Sequence, residues 1–192
     1  MIVDTLLVIA GPRACGKSTF IANCRSNKAL TRIAPDLARL FELAPKSVRM
    51  TQVERHAGRK YPAAILHLDI YSPFEYAPVL PRDQLQAWMT VERFGAHTSM
   101  KSVRDARELY AVTLFAPRQK TLERWLQRKA AGNRRQVSTN LAQILADSGS
   151  GEALYRHLYS VWLKFLAASQ PVQHWHATEK DGGYAIEVAG SD

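Results

Sequence analysis

Cysteine is scarce in this chain, no apolar run is long enough to cross a membrane, and acids are outnumbered by bases. Only two of the 192 residues are cysteines, Cys15 and Cys24. Two at such spacing supply neither a disulfide framework nor a zinc ligand set, so a reducing compartment is expected. The run from Leu6 to Ala10 is apolar, but a membrane span needs roughly 20 residues. Asp4 stands where a signal peptide would carry Lys or Arg. The run therefore reads as a buried strand, and a cytoplasmic location with no membrane association is expected. No repeat, low-complexity tract or linker divides the sequence, which predicts a single domain over 1–192.

Against 17 acids stand 26 lysines and arginines, a net charge of +9. A basic surface attracts nucleotides, phosphorylated or sulfated substrates, nucleic acid or an anionic membrane, and charge alone does not choose among them. Nucleic acid is supported by charge only. Basic and aromatic residues are not interleaved, and Trp125 and Trp162 fall on apolar stripes. Apolar residues make up 46% of the chain, enough for a substantial core.

Apolar runs alternate with amphipathic stretches. Strands are predicted over 2–10, 63–70 and 109–115, with terminal strands over 171–177 and 184–189 joined by a turn at Asp181-Gly182-Gly183. Helices are predicted from Lys17 to about Ser26, within 28–45, over 82–94, 119–130 and 138–147, and over 152–168. Residues 46–62 are polar and basic, suiting a weak strand or a loop over a site. Strands alternating with helices imply an α/β fold of three layers, a mostly parallel sheet of about five strands covered on both faces.

The most specific pattern is Gly11-Pro12-Arg13-Ala14-Cys15-Gly16-Lys17-Ser18, which matches G-x(4)-G-K-[S/T] between an apolar strand and a helix. Glycines at 11 and 16 permit backbone paths that side chains block. The loop can then turn successive N–H groups inward on phosphate oxygens. The start of the following helix adds partial positive charge. Lys17 is placed to reach the outer phosphates, and the Ser18 hydroxyl to ligate Mg²⁺. Thr19 ranks behind Ser18. Arg13 is placed for a phosphate or for solvent.

A phosphate loop needs an acid to organise Mg²⁺ or to take a proton from an acceptor. Asp69 ends the strand Ile65-Leu66-His67-Leu68, at the sheet edge where such sites lie. Both roles stay open, as does a simple turn-capping role. His67 shares a strand face with Asp69 and reads as a hydrogen-bonded strand histidine or a substrate contact. Asp36, after Pro35, reads first as a helix start. Residues 118–135 hold Arg118, Lys120, Arg124, Arg128, Lys129, Arg134 and Arg135 against Glu123 alone. Arg124 and Arg128 share a helix face, predicted to lie opposite a Leu122/Leu126 stripe. That segment suits either a solvated surface or a basic helical lid over about 118–147, closing arginines such as Arg128 and Arg134 over transferring phosphate.

With the loop, the strand ending at Asp69, and the strand 110–115 followed by Pro117-Arg118 and an arginine-bearing helix, the chain resembles small P-loop kinases of the nucleoside/nucleotide, gluconate and shikimate type. The resemblance implies the P-loop NTPase fold, ATP with Mg²⁺, and phosphoryl transfer to a small acceptor, expected to be anionic. It lacks the Asp-Arg-[His/Tyr] signature of thymidylate-type kinases and the Gly-Gly acceptor loop of shikimate kinases. Two other functions compete: a nucleoside-triphosphate hydrolase switching a partner protein, and a sulfotransferase-like protein. No guanine-reading Asn-Lys-x-Asp is present, which argues against a GTPase, and the complete Gly-Lys-Ser argues against a sulfotransferase.

Overall fold

The computed structural model describes residues 1–26, 34–44, 47–49, 52–74, 80–130, 151–180 and 183–190, with described side chains in the 118–130 helix ending at Gln127. Six strands form one sheet: β1 (Ile2–Gly11), β2 (Ser47–Arg49), β3 (Lys60–Asp69), β4 (Glu108–Phe115), β5 (Gln173–Lys180) and β6 (Gly183–Val188). Their order is β2-β3-β1-β4-β5-β6. The first five run parallel and β6 returns antiparallel to β5. The expected α/β architecture is present, with one strand more than the five anticipated.

Alternation along β1 sorts the core into two layers. Leu6, Val8 and Ala10 face one side and Leu7 and Ile9 the other, all within 1% of full burial. Both faces are apolar because both are covered, as parallel sheets require. On the Leu7 side lie α1 (Lys17–Ser26) and α2 (Pro35–Leu43), through Phe20, Ile21, Leu37 and Phe41. Pro35 occupies the first turn of α2, where its missing N–H costs no helical bond. The earlier part of the pattern predicted over 28–45 lies outside the described residues.

The other face carries α3 (Arg82–Trp88), α4 (Val91–Ala96), α5 (Lys101–Arg104) and the long α7 (Gly151–Ala168). The single helix predicted over 82–94 is two helices. Thr90 is extended and its hydroxyl accepts from the Arg93 N–H, restarting the helix as an N-cap. The remaining helix, α6 (Arg118–Ala130), follows β4. The predicted helix 138–147 and most of the lid-like segment fall outside the described residues. Among the described residues, no helix is long and apolar enough to cross a membrane.

Trp162 of α7 is 0% exposed and packs on Phe94, while its indole N–H donates to Thr113 Oγ1 at 2.8 Å. Trp162→Ala should cost about 3–5 kcal/mol. Trp162→Phe, which keeps a ring but loses the donor, should cost clearly less. Urea unfolding measures both, and an alanine variant within about 1 kcal/mol of the parent would remove this face from the main core.

Candidate functional site

The glycine loop leaves β1 at the centre of the sheet, and Gly11 pairs in register with Asp69 of β3. The motif's lysine and the strand-end acid are thus brought to the same edge by backbone pairing. The Ile70 N–H donates to the Gly11 carbonyl at 3.2 Å and extends that pairing beyond the strand.

The two glycines serve the loop for different reasons. Gly16 has φ of 99°, a region that favours glycine. Gly11 is needed for space: a Cβ there would lie 2.7 Å from Cys15 Sγ and 3.0 Å from the Leu114 carbonyl oxygen. Ala14 also has positive φ, at 66°, a conformation that costs an L-residue about 1 kcal/mol or more. Ser18 and Thr19 are exposed on the first turn of α1.

Lys17 folds back over the loop. Its ammonium donates to the carbonyls of Gly11 at 2.8 Å and Pro12 at 2.7 Å, and lies 3.8 Å from Cys15 Sγ. Burial pushes the Cys15 thiol up, more than the neighbouring Lys17 lowers it. Cys15 is therefore a neutral packing group under the loop.

Asp69 uses both oxygens. Oδ2 accepts from Arg13 Nε at 2.8 Å, and Oδ1 accepts from the Tyr71 N–H at 3.1 Å. The turn-capping role left open from sequence is present, together with an ion pair to the loop's own arginine. The two side chains are 27% and 15% exposed, so water screens the pair only in part.

His67 lies on the same strand face, sharing a 2.7 Å hydrogen bond with Ser47 Oγ of β2. Burial, then Lys17, Arg49 and Arg25, lower it to about 4, so it is neutral at pH 7. Asp36 sits in the first turn of α2, as the helix-start reading anticipates.

The basic helix α6 departs from expectation. Leu126 is 56% exposed and does not join a buried stripe, while Thr121 is buried and Arg124 partly so. The reason is an acid from far along the chain. Glu179 at the end of β5 accepts from Arg124 Nη2 at 2.9 Å on each oxygen and pairs with Lys120 at 3.1 Å. Those contacts turn the Arg124 face toward the sheet. Arg118 pairs with Glu152 at 3.3 Å. The side chain of Arg128 and the whole of Arg134 lie outside the described residues.

Tyr184 of β6 is a loop neighbour that sequence reasoning missed. Its hydroxyl donates to the Gly16 carbonyl at 3.4 Å, and its ring meets Phe20 edge-on at 4.9 Å. Burial raises it to about 12, keeping it protonated. No local pattern marks Tyr184 or Glu179, because strand pairing, not spacing, delivers them.

The oxygens near the loop suit Mg²⁺ in kind: the exposed Ser18 hydroxyl and the Asp69 carboxylate. Mg²⁺ prefers oxygen, and commonly takes one or two carboxylates with substrate phosphates. Among the described residues no group of three or more His, Cys, Asp or Glu forms a protein cage for a metal.

His174, hydrogen-bonded to Thr113 Oγ1 at 2.8 Å, is also lowered to about 4 by burial and then by His176. An unfolded histidine takes its proton near pH 6.5. The unfolded chain then binds protons that the folded chain refuses, so stability should fall as pH drops from about 6.5 toward 4. Urea midpoints across that window test this. Replacing His67 and His174 together by Gln should flatten the slope, and an equally steep slope would assign it to other groups.

Compared with known proteins, the chain matches no family model, no curated protein and no solved structure.

Proposed function

We propose that the chain is an ATP-dependent phosphotransferase acting on a small anionic acceptor. The observation carrying this reading is the Gly11–Asp69 register, which sets Lys17, Arg13 and a carboxylate at one sheet edge. On this reading Lys17 exchanges two neutral carbonyls for phosphate oxygens. The ammonium gains charge–charge attraction to phosphate oxygens that neutral carbonyls do not offer, so the exchange favours ATP. Arg13 likewise turns from Asp69 to phosphate. Mg²⁺ bound with the nucleotide supplies charge neutralisation at the phosphates.

The acceptor hydroxyl oxygen then forms a bond to the γ-phosphorus. The bond from that phosphorus to the β–γ bridging oxygen breaks, and its electron pair leaves on ADP. Asp69, released from Arg13, takes the acceptor's proton. Backbone N–H groups of the loop and Lys17 stabilise charge on the transferring group, where loss of a single donor is commonly worth about 10²–10³ in rate.

A transfer screen with γ-labelled ATP over a metabolite panel tests the proposal. Label on an acceptor is the expected result. Release of inorganic phosphate with no labelled acceptor would favour the hydrolase, and no ATP consumption at all would overturn the enzymatic reading.

A further inference from the structure

On the α7 side of the sheet, one residue past the loop contact at Leu114, a cleft of about 480 Å³ opens between the end of β4, the start of α6 and the flank of α7. That volume suits a small organic molecule. Phe115, Tyr155, Tyr159 and Leu163 make its wall. The phenol hydroxyls are committed elsewhere: Tyr155 donates to the Ala116 carbonyl at 2.6 Å and Tyr159 to the Leu114 carbonyl at 2.8 Å. These bonds pin the strand-to-helix corner and leave the rings as the tyrosines' main offering to a ligand. Phe115 and Tyr159 stack with centroids 5.0 Å apart, stiffening the wall.

The rim has the opposite character. Arg118, Arg156 and Lys164 line it, with Glu152 as its one acid. Glu152 bridges Arg118 at 3.3 Å and Arg156 at 3.1 Å. Three cations against one carboxylate leave an excess of positive charge beside an aromatic wall.

The cleft also connects to the loop site. Tyr71, whose N–H is bonded to Asp69, meets Tyr155 edge-on with centroids 6.5 Å apart.

We infer that this cleft seats a ring-bearing organic anion, the acceptor of the proposed transfer, its ring against Phe115 and Tyr159 and its anionic group at the Arg118/Lys164 rim. The word acceptor rests on the phosphotransferase reading; the binding site does not. Phenyl phosphate is the probe, with phenol and inorganic phosphate as its two halves. Amide chemical shifts should move at 115, 116, 118 and 155–164 with phenyl phosphate, which binds about tenfold more tightly than either half. Ser160→Trp, which fills the cleft from α7, should abolish those shifts. Lys164→Glu, an exposed reversal that leaves the wall intact, should weaken phenyl phosphate about threefold to tenfold and leave phenol unchanged. Shifts confined to residues 11–18, or affinity unchanged in both variants, would overturn the site. Thermal stabilisation by ATP and Mg²⁺ is read in parallel. Its absence with cleft binding intact would remove the acceptor role and keep the site, whereas its presence without cleft binding would overturn the site and leave the phosphotransferase reading standing.

Discussion

Lys17→Ala should remove most of the thermal stabilisation that ATP and Mg²⁺ give the parent chain. At a ligand concentration of about 100 times Kd, binding adds roughly 2.7 kcal/mol. In a domain of this size that raises the melting temperature by about 5–10 °C. Loss of a charged contact to phosphate, about 1.5–3 kcal/mol, raises Kd by roughly 10- to 200-fold and removes most of the shift. The fold itself should survive. Lys17 contributes two hydrogen bonds to loop carbonyls, and a typical bond nets about 1 kcal/mol. Losing both lowers the unliganded melting temperature by about 4–8 °C, so the shift given by ATP and Mg²⁺ is read against each variant's own unliganded value, which separates lost binding from lost structure. An undiminished shift in the variant would show that the nucleotide is held elsewhere.

Asp69→Asn should leave the fold intact and remove turnover. Asparagine keeps the shape and an oxygen to accept from the Tyr71 N–H, so the turn after β3 is preserved. What is lost is the carboxylate charge: the Arg13 ion pair becomes a contact between a guanidinium and a neutral amide. Because that pair is partly exposed, the stability loss should stay near or below about 1 kcal/mol. Catalysis is more sensitive, since an amide cannot take the acceptor's proton. A general base is typically worth about 10²–10⁴ in rate. Single-turnover transfer from labelled ATP gives the measurement. A rate within about threefold of the parent would move the base to another residue.

How far the sequence foretells this site depends on how local each part is. The loop is legible because β1 and α1 are contiguous with it, and the motif needs a strand before it and a helix after it. Asp69 is legible because an apolar run ending in an acid marks the functional edge of a parallel sheet. Arg13 was only half legible: its position in the loop was evident, whereas its pairing with Asp69 depends on β1 and β3 lying side by side. The α6 stripe holds in part: Leu122 packs against the core as its spacing suggests, whereas Leu126 is exposed and Glu179 holds the Arg124 face. The break at Thr90 was available in principle, since a threonine three residues before the N–H it caps is a known helix start. It was hidden by apolar periodicity that continues across the break. Arg128 and Arg134 keep the roles assigned to them as expectations only.

The contact between Tyr184 and Gly16 joins positions 168 residues apart. A ribosome that has produced the complete glycine motif has made none of the segment that later rests on it. The roof over that turn, with Glu179 clasping Arg124, can assemble only after β5 has inserted beside β4 and β6 has folded back on it. Forming a contact between such distant positions is entropically slow. Nascent chains shorter than this carry the motif without its finished surroundings, so the mature shape of the loop's outer wall waits until β6 has been made.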